Sequence, residues 1–408
     1  MHTEHRQQAD HPETVELAAL TADFNADPHT ALGALRDRGP VHHVAFPNGD
    51  TAWMVLGYEQ VRAALADTRL GNDVRLSSEY DSDGLYSIGT SMLQVDPPDH
   101  TRLRSLVARE FTARRIGALR ARVEERAHEL LDGMAPRGRA ELVEEYALPL
   151  PLTVICELLG VPGMDTASFR SWSTEMVAAT DPEAATRAMG EMTAYLTRLI
   201  EDKRTAGPAS EGDLLHALVR THDEDGDRLD PGELLGMAFL LLVAGHETTV
   251  NSLSSAVHLL LSHPDQLAAL RADPELAEGA VEETLRFEPP AQAGTFRYAA
   301  EALTIAGTHI GAGDRVVLSI AAANRDPGRF HAPERFDIHR DLAEARAHLA
   351  FGHGVHHCLG APLARLETAI GLRALLERFP GLAYDATEPA PEWRPSLLRG
   401  LRTLPVRF

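Results

Sequence analysis

The sequence predicts a mainly α-helical fold with a minor β region. Three features carry that expectation. Helix openings of the Asp-Pro or Asp type recur, and the longest apolar stretch, opened by Asp230-Pro231 and running to about Leu261, would span roughly 45 Å at ~1.5 Å per residue. Strand-like alternation is confined to short runs near the N-terminus and within residues 295–320. No internal repeat, low-complexity tract or linker divides the 408 residues. Residues 17–408 therefore read as one domain behind a loose polar tail, residues 1–16.

The elements follow in order. Residues 30–38 read as a short helix closed by Gly39-Pro40. Residues 41–46 and 51–56 alternate as strands around Asn48-Gly49, a hairpin signal. Residues 58–66 are helical. Residues 67–95 form a long polar loop whose apolar end, with Leu85, Tyr86, Ile88 and Met92, is expected to close over something. Asp99 is an N-cap candidate for the next helix, where His100 and Arg104 share one face. Residues 113–134 form an amphipathic helix. Residues 166–179 and 182–204 form two more, opened by Asp165 and Asp181-Pro182. The long helix from Pro231 is apolar on all sides at Leu241-Leu242-Val243, which predicts burial. Asp273-Pro274 opens a helix ending near Phe287. Short strands follow at 295–298, 302–310 and 315–320, with a turn at 311–314. After an irregular stretch and a final helix, residues 395–408 read as a terminal hairpin.

The apolar share of 44% suffices for a large core, and the net charge of −21 argues against general nucleic-acid binding. Two cysteines, Cys156 and Cys358, make no disulfide framework and fit a reducing cytoplasm. Cys156 lies in an apolar run and reads as a packed core thiol. The N-terminal residues are polar and His-rich, with no signal-peptide core, and no window reaches the ~18 uninterrupted apolar residues of a membrane span. A cytoplasmic protein without membrane association is expected.

Three motifs carry chemistry. Residues 351–360, Phe-Gly-His-Gly-Val-His-His-Cys-Leu-Gly, hold Cys358 in a glycine-bracketed loop just before a helical pattern. A thiolate there gains from orphan N–H groups and the helix dipole. Two other readings compete. A lone cysteine is commonly a small core hydrophobe, and three neighbouring histidines suggest zinc, although adjacent side chains rarely converge on one tetrahedral ion. Ala244-Gly245-His246-Glu247-Thr248-Thr249 puts an acid and hydroxyls inside the buried helix. It reads equally as a kink with Thr bonding back to the helix or as a proton relay. Glu283 and Arg286 stand three apart, by default a surface pair.

The cysteine loop resembles the heme-binding signature of the cytochrome P-450 family, Phe-Gly-x-Gly-x-x-x-Cys-x-Gly, at every fixed position. Residues 244–248 resemble its Ala-Gly-x-(Asp/Glu)-Thr segment, Glu283 and Arg286 its Glu-x-x-Arg pair, and Pro333-Glu334-Arg335-Phe336 the downstream segment. The resemblance spans nearly the whole chain. It implies a mainly helical cytochrome P-450 fold binding heme b (iron protoporphyrin IX), with Cys358 as iron ligand and Phe351, Gly352, Gly360, Ala244 and Gly245 around the heme. It implies that His100, Arg104, Arg297 and His356 bind the propionates and that Glu247 and Thr248 deliver protons. Glu283, Arg286 and Arg335 would brace the fold. The pocket wall would include Leu85, Ile88, Met92, Val243, Ala244, Thr248, Ala293, Gly294, Phe296 and Leu397, under a lid made by residues 70–92 and 166–204.

The implied reaction is monooxygenation, with dioxygen and two electrons. The chain has no room for a flavin or iron–sulfur domain, so a ferredoxin and ferredoxin reductase are expected to supply them. Arg102, Arg109, Arg114 and Arg115 are candidates for the docking patch. A monomer is expected. The runs Val-Ile-Cys-Glu-Leu-Leu-Gly-Val-Pro and Ala-Gly-His-Glu-Thr-Thr-Val-Asn resemble macrolide and polyketide oxidases of antibiotic biosynthesis. The expected act is hydroxylation or epoxidation of a bulky hydrophobic metabolite. The rival substrate class is steroid or terpenoid. A peroxide-driven peroxygenase and a non-catalytic heme gas sensor are the rival activities.

Overall fold

The computed structural model describes residues 13–408 apart from 22–23, 25, 47–48, 81–87, 162–165, 179–181, 207–212, 225–228 and 395–397. Its axis is the helix Pro231–Ser262, 32 residues long. Local chemistry starts it. The Asp230 carboxylate accepts from the Glu233 N–H at 2.8 Å, and the Glu233 carboxylate accepts from the Asp230 N–H at 3.0 Å. Pro231 follows at the first helical position, where its missing N–H costs nothing. Such a cap contributes about 1 kcal/mol. Packing supplies the rest, since the helix is buried along most of its length.

Helices Pro149–Leu159, Ala277–Phe287 and Ala361–Arg378 pack on this axis, and Ala113–Met134 packs on Ala361–Arg378. One apolar core joins Ala113–Met134, Ala361–Arg378 and the C-terminal half of the axis around Leu253 and Val257. A second core joins its N-terminal half, around Met237 and Leu242, to Leu214–Glu224 and the helix pair Thr166–Ala178 and Pro182–Ala206. The axis is the one described helix long and apolar enough to cross a membrane, and 61% of its apolar window lies buried inside the fold.

The main sheet has six strands, in the order Thr14–Glu16, Val41–Ala45, Thr51–Val55, Arg315–Leu318, Arg297–Ala299 and Leu70–Gly71. The hairpin pairs Val41 with Val55 and His43 with Trp53, antiparallel. Thr14–Glu16, assigned to the loose tail by the sequence, adds in parallel to Val41–Ala45 and buries Val15. The tail signal there is polar composition alone, and the strand exists because a long-range partner edge is available.

Other differences have the same origin. Helices Pro149–Leu159, Leu214–Glu224 and Pro264–Ala272 were not expected. The first is buried on nearly every face, so it shows no helical period. Asp99 is not a cap: it is the first residue of the helix Asp99–Ala108, and the His100 N–H donates to the Asp96 carbonyl. The Asp96 carboxylate instead accepts from the N–H groups of Asn72 and Asp73, tying down the start of the long loop. Asp165 and Asp181 lie outside the described residues. The terminal hairpin does not form as such. Leu401–Thr403 pairs with Glu392–Trp393, while Pro405–Arg407 lies between Ala383–Tyr384 and Arg139–Glu141 in another sheet.

Candidate active site

The cysteine loop is set by its backbone. The Cys358 N–H donates to the Phe351 carbonyl at 2.8 Å, closing the loop on itself. Gly352 and Gly354 sit at φ 71° and 76°, in the left-handed region. A Cβ on Gly354 would come within 2.8 Å of the Leu65 carbonyl oxygen, so the approach admits only glycine. Helix Ala361–Arg378 begins three residues after Cys358, the Ala361 N–H donates to the Cys358 carbonyl at 3.4 Å, and the N–H groups of Gly360 and Ala361 lie near enough to favour a negative sulfur. Cys358 has exposed surface and lines an internal cavity, yet enough protein packs around its thiol that burial raises its pKa. Those N–H groups, Arg104 and Arg365 pull it back toward the thiolate. Cys156, by contrast, is packed in the core with its thiol pushed up to about 12 by burial and Glu157.

The cavity lies between this loop and the axis helix, which offers Leu241, Ala244, Gly245, Thr248, Thr249 and Ser252 to it at helical spacing. Gly245 also permits close helix packing, since a Cβ there would meet the Ile155 side chain at 2.8 Å. The helix runs unbroken through this segment, and the Thr248 hydroxyl donates back to the Ala244 carbonyl at 3.2 Å. Glu247 is buried away from the lining residues. Its carboxylate accepts from the Ser173 hydroxyl at 2.6 Å, and Arg394 Nη2 and His246 Nε2 lie at 3.4 and 3.5 Å. Burial alone would raise its pKa, but His246, Arg394 and Ser173 outweigh it and hold the group ionised, at about 2.

Glu367 escaped the sequence reading. It is fully buried, lines the same cavity, and neither oxygen has a hydrogen-bond partner. Burial, only partly offset by Thr249, keeps it a neutral acid well above the carboxylate range. Its signal was an acid on the apolar helix nine residues beyond Cys358.

Arginine and histidine donors stand at the cavity rim. His100, Arg104 and His356 line it, with the two imidazoles 4.2 Å apart. Both ring nitrogens of His100 and Nε2 of His356 are buried without hydrogen-bond partners. Burial and the positive neighbours His356 and Arg104 push His100 down to about 4. Arg104 donates to the His357 carbonyl at 2.7 Å. Arg297, buried on its strand, donates to the Thr295 hydroxyl at 2.7 Å, and burial lowers its pKa to about 10. Buried imidazole nitrogens without hydrogen-bond partners are costly, so this rim suits a guest that accepts hydrogen bonds. A flat group with an iron for the Cys358 sulfur and carboxylates for these donors fits the residues present.

The remaining predicted positions divide. Met92, Ala244 and Thr248 line the cavity, while Leu85 and Leu397 lie outside the described residues. Ile88 is buried in the second core. Val243 is half-buried and is not among the lining residues. Ala293 bridges to Ser319, the Gly294 N–H donates to the Leu318 carbonyl, and Phe296 is exposed with the Arg315 guanidinium over its ring at 5.3 Å. Glu283 and Arg286 form a fully buried, doubly hydrogen-bonded pair at 2.8 Å. Arg340, not Arg335, completes that network, donating to Glu283 at 3.0 Å. The Arg335 side chain is largely exposed near Asp337, and only its carbonyl accepts from Arg286. Glu283→Ala would leave the fully buried Arg286 facing no charge and Arg340 with Glu344 alone. It is expected to cost ~3–5 kcal/mol, read as a lowered denaturation midpoint, whereas Arg335→Ala should change it little.

A loop-held cysteine under a buried helix, with arginine and histidine donors at the rim, defines a heme-thiolate protein. The sequence model of the cytochrome P-450 family matches residues 164–404. Over 400 residues the chain is 54% identical to cytochrome P-450 monooxygenase PikC of Streptomyces venezuelae, covering 97% of this chain and 95% of that one. It is 43% identical over 383 residues to mycinamicin IV hydroxylase/epoxidase of Micromonospora griseorubida, covering 92% and 94%. The solved structure of the tirandamycin C-bound P-450 monooxygenase TamI superposes with a TM-score of 0.88 at 43% identity, over 96% of this chain and 99% of that one. The chain belongs to the cytochrome P-450 family. It is a heme-binding monooxygenase.

Proposed function

We propose that this enzyme hydroxylates or epoxidises a macrolide-sized polyketide in the cytoplasm, with electrons from a ferredoxin and its reductase. The observation that carries the substrate reading is the cavity. Its walls away from Cys358 are aliphatic or small, with Met92, Leu240, Leu241, Ala244, Pro290 and Ala291. The reaction classes match the name of the relative above, a mycinamicin IV hydroxylase/epoxidase.

Heme, held by Cys358, supplies dioxygen activation, favoured by thiolate donation. The chain supplies the rest. His100, Arg104, Arg297 and His356 would hold the carboxylates through charge-assisted bonds, which would also give the unpartnered imidazole nitrogens their partners. Thr248 presents a hydroxyl to the cavity and carries the proton at its wall. Glu247, kept ionised, stands behind it as acceptor and relay rather than as standing acid. The apolar lining excludes bulk water from the substrate. Titration with a macrolactone panel and a steroid panel tests this reading. Spin-state shift and turnover with macrolactones are expected, and both confined to steroids or terpenoids would overturn it.

Electron delivery gives a second test. Arg109, Arg114 and Arg115 are exposed beside the helix whose Arg104 bonds the cysteine loop. Arg102 leaves the candidate patch, because it is engaged by Asp99 and Glu233. Charge reversal at Arg109 or Arg115 should lower ferredoxin-supported turnover and flatten its salt dependence. Turnover and salt dependence both unchanged would remove them from the docking face.

A further inference from the structure

The residue before the buried Glu283 is a second fully buried acid that the fold-bracing network does not use. Glu282 faces the other way, toward the cysteine loop. Its carboxylate accepts from Arg365 Nε at 2.6 Å and Arg365 Nη2 at 3.0 Å, and it lies 3.0 Å from His348 Nε2. The Ala350 N–H donates to His348 Nδ1 at 3.2 Å. His348 therefore accepts at Nδ1, so its proton sits on Nε2 and is donated to Glu282. Arg365, fixed from one side by Glu282, lies over the Phe351 ring at 4.5 Å, and the His348 ring lies 5.7 Å from the same ring. The Phe351 carbonyl in turn accepts the Cys358 N–H at 2.8 Å. A continuous chain of contacts thus runs from Glu282 through Arg365 and Phe351 to the ligand residue.

We propose that Glu282 is a positioning residue for the Cys358 thiolate: it clamps Arg365 over Phe351 and so sets how much positive charge the sulfur feels. This rests on Cys358 being the heme ligand. Three observations favour the role over a simple brace. The acid holds both ends of the Arg365 fork, which fixes where that charge points. The guanidinium it holds lies over the ring of Phe351, whose carbonyl closes the loop on the Cys358 N–H. Glu282 and its partner His348 are buried, so the pair acts where solvent screens little. Groups around a metal ligand tune its donation in this way.

The sign follows from charge. Glu282→Gln keeps the shape and one acceptor but removes the negative charge, leaving Arg365 uncompensated near the sulfur. The reduced, more negative state gains, so the heme reduction potential should rise. Arg365→Gln removes the positive charge, and the potential should fall. The double variant should return toward the parent value. The test is spectroelectrochemical titration of the heme-loaded protein for all three, with the carbon monoxide spectrum recorded first. A thiolate-type band in the parent checks the ligand assignment separately. Shifts of opposite sign are expected. No shift, or shifts of the same sign, would make Glu282 a brace only and overturn the proposal. Arg365 is partly exposed, so its variant reads the sign even if Glu282→Gln fails to fold, and an unshifted or raised potential there overturns the proposal alone.

Discussion

Cys358→Ala is expected to abolish the red-shifted Soret band that the reduced protein gives with carbon monoxide. The effect is all-or-none because the one other thiol of the chain, Cys156, is packed in the core among Leu152, Ile155 and Leu159. The fold should survive. Phe351 accepts from the Cys358 backbone N–H rather than from its side chain, so alanine keeps that loop closure. Thermal unfolding should therefore move little while the band disappears. A variant that keeps the band would show that another group holds the iron.

Thr248→Ala is expected to leave folding and heme content intact and to divert electrons from product to peroxide or water. The hydroxyl bonds only its own helix, to Ala244, and such back-bonding adds little to helix stability. The Cβ and the helix geometry persist, and the γ-methyl goes with the hydroxyl. What is lost is a proton-carrying group facing the cavity. Positioned proton donors contribute roughly 10²–10⁴-fold, so product formed per electron pair should fall steeply. Glu247 should not compensate, because Ser173 and Arg394 hold it as a carboxylate away from the lining. Coupling of electron use to product that matches the parent would remove Thr248 from the proton path.

The Glu247 geometry shows why an acid beside a threonine in a buried helix carried two readings. The hydroxyl is back-bonded within one unbroken helix, and the acid beside it is buried away from the cavity lining. The partners of the acid, Ser173 and Arg394, lie 74 and 147 residues away in sequence. No local pattern points to either.

What the sequence determined by itself was local. The axis helix was readable because its cap and its Pro lie within four residues of one another. The cysteine loop was readable because glycines at set offsets make one turn possible and because a helix begins directly behind it. The tertiary structure alone decided the partners. It chose Arg340 over Arg335 for Glu283, set Thr14–Glu16 on a strand far along the chain, and turned Glu367 neutral by burying it. It also joined Glu282 to His348 and Arg365 across 66 and 83 residues. The physical reason is the same throughout. Caps, turns and periods are satisfied by neighbours in the chain, whereas the pairing and ionisation of a buried charge depend on which distant segments packing brings against it.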